Sequence, residues 1–308
     1  RLFLNLGNFQ FVDVSKSAGV LAMEGFKTGV TMADVNGDGR LDIYSCRTSK
    51  TDDGLKSNFL FINMGNKTIS GIPVPYFEEQ SKQYGLDDNS DSNHASFFDY
   101  DRDGDLDLFI LNHKIGFKDS AKFRLKEQKD GSMKRIKTPE TPFESNRLYR
   151  NDGGRFTDVT AIAGLVSSAF GLSATPVDID RDGWLDIYVA NDFIEPDNVY
   201  FNNRDGTFTD HFFDYFKHTS HFSMGTDATD FNNDGLVDII VVDMKSGDHV
   251  RYKELANPMQ YDKYNLMVQY GYGRQPGRNM LQLNCGNNTF IDIGQFAGVS
   301  ATDWSWTP

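Results

Sequence analysis

Cysteine, long apolar runs and positive charge are all scarce in this chain, and each scarcity narrows what it does. Only Cys46 and Cys285 occur in 308 residues, too few for a disulfide framework. They leave open one bridge or two separate thiols, so cysteine usage does not fix the compartment. No stretch approaches the roughly 20 apolar residues of a transmembrane helix, and the opening residues Arg1 to Asn5 read as a strand, not as a signal peptide. Lys and Arg number 31 against 44 Asp and Glu, a net charge of -13. That balance offers no basic stripe to neutralise phosphates and excludes a nucleic-acid partner. A Ser/His/Asp nucleophile arrangement, a phosphate-cradling glycine loop and zinc-ligand spacing are missing as well.

What the chain does contain is one acidic nine-residue turn, four times over. The turns run Asp34, Asn36, Asp38, Gly39, Asp42; Asp99, Asp101, Asp103, Gly104, Asp107; Asp178, Asp180, Asp182, Gly183, Asp186; and Asp230, Asn232, Asp234, Gly235, Asp238. Oxygen side chains at positions 1, 3, 5 and 9 surround one small volume, and the glycine at position 6 permits the sharp turn. The carbonyls of the position-7 residues Arg40, Asp105, Trp184 and Leu236 complete the expected set. Hard oxygen ligands in that number suit Ca2+, so four calcium sites are expected, structural ones, because nothing reserves an open position for chemistry. Carboxylates at positions 1, 3, 5 and 9 total 14, and four bound Ca2+ would move the net charge from -13 to -5. Most of the acidity is therefore ligand charge. Extracellular modules of this kind bind calcium at about 10⁻⁴ to 10⁻³ M, and Asn36 and Asn232, each one charge short, predict weaker binding at the first and fourth turns.

Apolar and β-branched residues flank each turn, as in Gly29 to Ala33 before Asp34 and Ile187 to Ala190 after Asp186, so each turn joins the two strands of a hairpin. Asn5 to Val14, Asn146 to Val159, Asn198 to Phe208 and Asn279 to Ile293 read as further hairpins with Asn/Gly turns. Two hairpins make a four-stranded antiparallel blade, which must stack on its neighbours to bury both faces. The expected fold is all-β, a β-propeller, with residues 1–308 as a single incomplete domain. First ligands are 65, 79 and 52 residues apart, and the excess over a minimal blade marks insertions near 114–144 and 246–276. The first carries nine Lys/Arg against five Asp/Glu and predicts a helix near Lys118 to Lys129. Asp303 to Pro308 aligns with the strand ahead of the fourth turn, which predicts a longer ring with more blades.

These turns resemble the FG-GAP/VCBS repeats of integrin α-subunits over essentially the whole chain. Tyr188 to Asp197, His218 to Gly225, Tyr261 to Met267 and Gly298 to Trp306 further resemble the secreted bacterial group related to cartilage acidic protein, many of which end in an ASPIC/UnbV domain. The resemblance implies a seven-bladed ring, an extracellular or cell-surface location, in bacteria at the outer membrane, and often a lipid anchor outside residues 1–308. It implies no established catalysis, and no ASPIC/UnbV segment occurs in the chain.

Three further groups stand out. Phe26, Phe170, Phe222 and Trp304 occupy matching positions eight residues before a first ligand or its projected equivalent, with His94 and His221 nearby; they line an axial channel or, as the residue types favour, pack between blades. Asp192, Glu195 and Asp197 crowd one loop, where paired carboxylates about 5 to 10 Å apart could serve glycoside hydrolysis, although capping or support of a metal turn suits them better. The second insertion holds Tyr252, Tyr261, Tyr264, Tyr270, Tyr272 and Arg274, which with Trp304 form the candidate ligand surface. The resulting expectation is a calcium-stabilised binding or scaffold module without enzymatic activity, a subunit of a larger surface assembly of the outer-membrane nutrient-uptake type, with a protein, a glycan or both as partner. The competing reading is a polysaccharide lyase or hydrolase built on a calcium-rich propeller.

Overall fold

β-Branched and aromatic residues on either side of each acidic turn zip into an antiparallel hairpin, and a second hairpin joins it edge to edge. The computed structural model describes residues 1–21, 25–49, 56–113, 122–255, 261–287 and 289–308. After a short hairpin of β1 (Phe3–Asn5) and β2 (Phe11–Asp13), the first four-stranded sheet runs β3 (Phe26–Ala33), β4 (Asp42–Thr48), β5 (Phe59–Ile69) and β6 (Ile72–Glu79). The second comprises β7 (Ser92–Phe98), β8 (Asp107–Asn112), β11 (Arg147–Asn151) and β12 (Phe156–Asp158); between β8 and β11 in sequence, β9 (Leu125–Glu127) and β10 (Met133–Arg135) form a separate small hairpin. The third is β13 (Phe170–Val177), β14 (Asp186–Asp192), β15 (Asn198–Asn202) and β16 (Phe208–Asp210); the fourth is β17 (Gly225–Thr229), β18 (Asp238–Val242), β19 (Met280–Asn284) and β20 (Phe290–Asp292). Register repeats with the sequence motif: the residue before ligand 1 pairs with ligand 9, as Ala33 with Asp42, Val177 with Asp186 and Thr229 with Asp238.

The chain divides into two compact units, Arg1–Asp99 with Asp103–Ile110 and Leu148–Val159, and Tyr100–Arg102 with Leu111–Arg147 and Thr160–Pro308. Tyr44, Cys46, Leu60, Leu108 and Ile110 are buried at the centre of the first. Tyr188, Val199, Phe216, Ile239 and Met280 do the same in the second, where Phe216 stacks on Phe290 with ring centres 4.3 Å apart. The second strand of a sheet is its most enclosed element: every residue of β8 is buried, as expected of a strand covered on both faces.

In the first unit β3 lies beside β7, the Thr28 hydroxyl donating to the Ser92 carbonyl at 2.6 Å. In the second, β13 lies beside β17 and the Thr175 hydroxyl donates to the Thr226 carbonyl at 3.1 Å. First strand against first strand is how propeller blades meet, and the fold is β-propeller-like. Gly29 allows the β3–β7 approach, and Gly225 allows the 306–307 segment to lie against β17. A Cβ at Gly29 would lie 2.5 Å from the Asn93 carbonyl oxygen, and one at Gly225 would strike the Trp306 carbonyl. Gly29→Ala and Gly225→Ala are each expected to destabilise by about 1–3 kcal/mol through overpacking, seen as a lower urea midpoint with an unchanged m-value.

The insertions depart from the sequence expectation. No helix forms over residues 122–129; Leu125–Glu127 pairs instead with Met133–Arg135, because Asp130 accepts from the Ser132 N–H and Gly131 takes a φ of 79°, closing a tight turn. The start of that expected helix, residues 118–121, lies outside the described residues. The second insertion forms two helices, His249–Leu255 and Tyr261–Gln269. Ile194, Met267 and Tyr272 form a small core there, with Phe123, Leu125 and Tyr270 packed against it, so the two insertions meet within the second unit. Among the described residues no helix is long and apolar enough to cross a membrane. Cys46 and Cys285 are both free thiols; burial holds the Cys46 thiol well above its usual range.

Candidate metal centre

Each acidic turn is built by its own carboxylates before any ion is considered. In the third turn, Asp178 accepts from the backbone N–H groups of Asp182 at 3.0 Å and Gly183 at 2.9 Å, and Asp182 accepts from Trp184 N–H at 2.7 Å. Asp186 closes the ring: one oxygen accepts from Ile179 N–H and the other from Asn202 N–H, both at 2.9 Å. Position 6 is glycine with φ between 83° and 97° in all four turns, as the motif requires. Position 4 is also left-handed, in Gly37, Arg102, Arg181 and Asn233, a strain the motif conceals because that position carries no common residue type.

These bonds leave the carboxylates facing one another. Asp178, Asp180 and Asp186 present oxygens that all lie within 4.8 Å of one another, and Asp99, Asp101 and Asp107 do the same within the second turn. Two oxygens on opposite sides of a calcium ion at about 2.4 Å each would be separated by about 4.8 Å. The donors are oxygen alone, which suits a hard cation. Asp99 Oδ1 is buried without a hydrogen-bond partner, a costly state that a cation would relieve. The residues fit calcium on both counts. In the first and fourth turns Asn36 and Asn232 replace the middle carboxylate, and each accepts the N–H of the position-5 residue, at 3.1 and 3.0 Å. The position-7 residues Arg40, Asp105, Trp184 and Leu236 all donate their N–H to the position-5 carboxylate, at 2.9, 2.9, 2.7 and 2.8 Å.

Mutual repulsion and burial mark the cluster. Burial pushes Asp186 up to about 7, with Asp180 and Asp182 adding to the effect. Asp42, Asp180 and Asp238 are raised for the same two reasons. One cation already serves the third turn: Arg204 grips Asp182 through Nε at 2.7 Å and Nη2 at 2.6 Å. Arg40 holds Asp38 in the first turn similarly, whereas Asp234 in the fourth accepts from the neutral Asn232 side-chain amide, at 2.9 Å. Arg204→Met is expected to tighten calcium binding at the third turn a few-fold, the modest scale of a largely exposed ion pair. Calorimetric titration of the variant checks this, and weaker binding would show that Arg204 positions Asp182 for the ion.

One asparagine per turn escaped the sequence reading. Asn63, Asn151, Asn202 and Asn284 each donate a backbone N–H to the position-9 aspartate, at 2.7 to 2.9 Å, and a side-chain N–H to the position-8 carbonyl, at 3.1 to 3.3 Å. Asn151 and Asn202 reach further, to the carbonyls of Val35 at 3.3 Å and Tyr100 at 2.8 Å, each the second residue of an acidic turn. The signal was an Asn in every third strand, at its end in three sheets and mid-strand at Asn63, but it falls 21, 44, 16 and 46 residues after its aspartate, and the insertions hide the recurrence.

The other candidates scatter. Phe26 is 70% exposed, whereas Phe170 is buried and stacks on His113 at 4.6 Å, so the matching aromatic positions do not share one environment. His221 is buried against Gln275, and burial lowers it to about 4. Asp197 is fully enclosed and accepts from Asn191 N–H at 2.9 Å and the Tyr188 hydroxyl at 2.7 Å, which makes it a strand cap; Glu195 pairs with Arg135 at 3.3 Å. Burial raises Asp192 and Asp197 to about 6 each. Of the candidate ligand surface, Tyr252, Tyr261, Arg274 and Trp304 are exposed, and Tyr264 and Tyr270 half-buried. Tyr272 is not at the surface: its ring fills the core between the insertions and its hydroxyl accepts from Arg124 N–H at 2.8 Å.

Residues 140–189 and 178–241, a stretch that includes the third and fourth acidic turns, match the FG-GAP-like repeat. No curated protein matches the chain. Among solved structures it is similar to a lectin of Agrocybe aegerita, described by its specific recognition of non-reducing terminal N-acetylglucosamine. The two share 17% identity with a TM-score of 0.42 over 94% of this chain, which spans 58% of the lectin chain.

Proposed function

We propose that this protein is a calcium-stabilised propeller module that acts by binding, as a scaffold or recognition subunit of a surface assembly, and does not catalyse a reaction. The observation that carries the reading is the pair of aspartate trios closed to within 4.8 Å in hairpin turns, each trio backed by an asparagine from the next hairpin. An ion there ties two hairpins of a sheet together, which is a structural service. An extracellular setting, where calcium is abundant, agrees with it. The finer kinship with the cartilage-acidic-protein-like group, a seven-bladed ring and an outer-membrane location belong to this proposal. The lyase or hydrolase alternative needs carboxylates converging on one cleft, and Asp192, Glu195 and Asp197 enter three separate sets of contacts.

The test is retention of a protein or glycan partner by the full chain, immobilised with calcium and then with EGTA, with products followed on a polysaccharide panel. Retention that is lost in EGTA, without product, supports the proposal. Calcium-dependent cleavage of any polysaccharide overturns it.

A further inference from the structure

A cavity of about 170 Å³ opens within the second unit between the β9–β10 hairpin and the connection from β14 to β15. Arg135, Lys137, Glu195, Asn198, Tyr200 and Asp210 line it, with Val166 and Pro196 as an apolar wall. None of them belongs to an acidic turn. The charges do not all neutralise one another through hydrogen bonds. Asp210 is saturated, accepting from Asn198 Nδ2 at 3.0 Å, Val199 N–H at 3.3 Å and Phe212 N–H at 3.2 Å. Glu195 is not: its side chain is 14% exposed and meets Arg135 at 3.3 Å, in an alignment that leaves Arg135 Nη1 and Nε without hydrogen-bond partners. Among the described residues, no hydrogen bond is donated to the Glu195 carboxylate. A half-buried carboxylate with unused lone pairs at a cavity wall is open to a donor from outside.

The class of that donor follows from charge and size. An ammonium would meet Arg135 and Lys137, with Arg124 also acting on Glu195. A carboxylate or phosphate would meet Glu195 and Asp210. A neutral group that both donates and accepts satisfies both signs at once, and the hydroxyl is that group. The volume lies well below the about 300 Å³ at which drug-sized sites begin, so the occupant is one small molecule. Its C–H face would rest on Val166 and Pro196. We propose that this cavity binds a neutral polyhydroxyl compound of monosaccharide size, with Glu195 accepting from ligand hydroxyls and Lys137 donating to them.

The proposal deepens the binding-module reading and rests on it for its biological sense. Saturation-transfer NMR and calorimetry on the calcium-loaded full chain would use methyl glycosides of glucose, mannose and galactose, with glucuronate, glucosamine and glycine as charged or zwitterionic counterparts. At least one neutral glycoside should bind at about millimolar concentration, as expected of so small a ligand, and the charged compounds at least tenfold more weakly. Glu195→Gln and the exposed-site variant Lys137→Met should each weaken binding at least fivefold, Lys137→Met with an unchanged melting temperature. Preference for glucuronate, glucosamine or glycine overturns the ligand class; binding unaltered in Lys137→Met and in folded Glu195→Gln overturns the site. Failure of every glycoside while a partner is still retained would overturn this proposal alone. Glycoside binding without any partner retention would sustain the cavity and overturn the scaffold.

Discussion

Stripping calcium from the full chain is expected to lower its melting temperature by roughly 8 °C if only the two all-aspartate turns load, and by roughly twice that if all four do. A ligand present at 100 times its dissociation constant contributes about 2.7 kcal/mol per site. A chain of this length melts with an unfolding entropy of about 0.65 kcal/mol per kelvin, scaling from about 2.1 cal/mol/K per residue. The structural cause is the assembly of like charges described above: without an ion, Asp178, Asp180 and Asp186 repel across less than 4.8 Å. Scanning calorimetry in calcium, then in excess EGTA, then with magnesium added back, reads the effect. Magnesium should restore little, since it demands shorter bonds in near-ideal octahedral geometry. A melting temperature indifferent to EGTA would end the structural-metal reading.

Calcium affinity should also rise steeply between pH 5.5 and 7.5, by roughly twentyfold at the third turn, because the ion must displace the proton that burial keeps on Asp186 up to about pH 7. The metal-free protein moves in the opposite direction. Its folded state holds a proton on Asp186 that the unfolded chain releases near the ordinary aspartate value of 3.8, so this group's contribution to stability falls as pH rises from about 4 to about 7 and is level above. Asp192 and Asp197, raised to about 6, add to that fall. Buried His221, lowered to about 4, works against it between about pH 4 and 6.5. Taking the difference between loaded and stripped protein at each pH cancels the groups away from the turns. A calcium-induced rise in melting temperature that is flat from pH 5.5 to 7.5 would contradict the assignment of Asp186 as a ligand.

Much of this was legible in the one-dimensional pattern. The acidic turns, their glycines and the strands around them lie where the spacing puts them, because a local hairpin obeys local rules: alternation, turn chemistry and a fixed nine-residue interval. The second hairpin of the first sheet was not seen. β5 and β6 run past their Asn63 corner through a bulge at Asn63 and Asn66 to a distant turn at Ser70 and Gly71, so the Asn/Gly signal sits mid-strand, not at the tip. The helix expected near Lys118 gave way, over its described part, to a hairpin because one Asp-Gly turn outweighs charge spacing that suits either element. Tyr272 read as surface because aromatic and basic residues alternate around it, yet only tertiary contact with Phe123 decides which ring turns inward. The asparagine brackets were illegible for the same reason, their partners being set by insertions of unequal length.

Those brackets carry a consequence for how the ions arrive. Asn151 steadies Asp107 of the second turn while its side chain holds the Val35 carbonyl of the first; Asn202 steadies Asp186 of the third while holding the Tyr100 carbonyl of the second. Ordering one turn therefore prepays part of the conformational entropy of ordering its neighbour. Calcium should load with positive cooperativity, a Hill coefficient above 1 that drops toward 1 in Asn202→Ala, so that a shallow change in calcium concentration switches the sheets from loose to firm together.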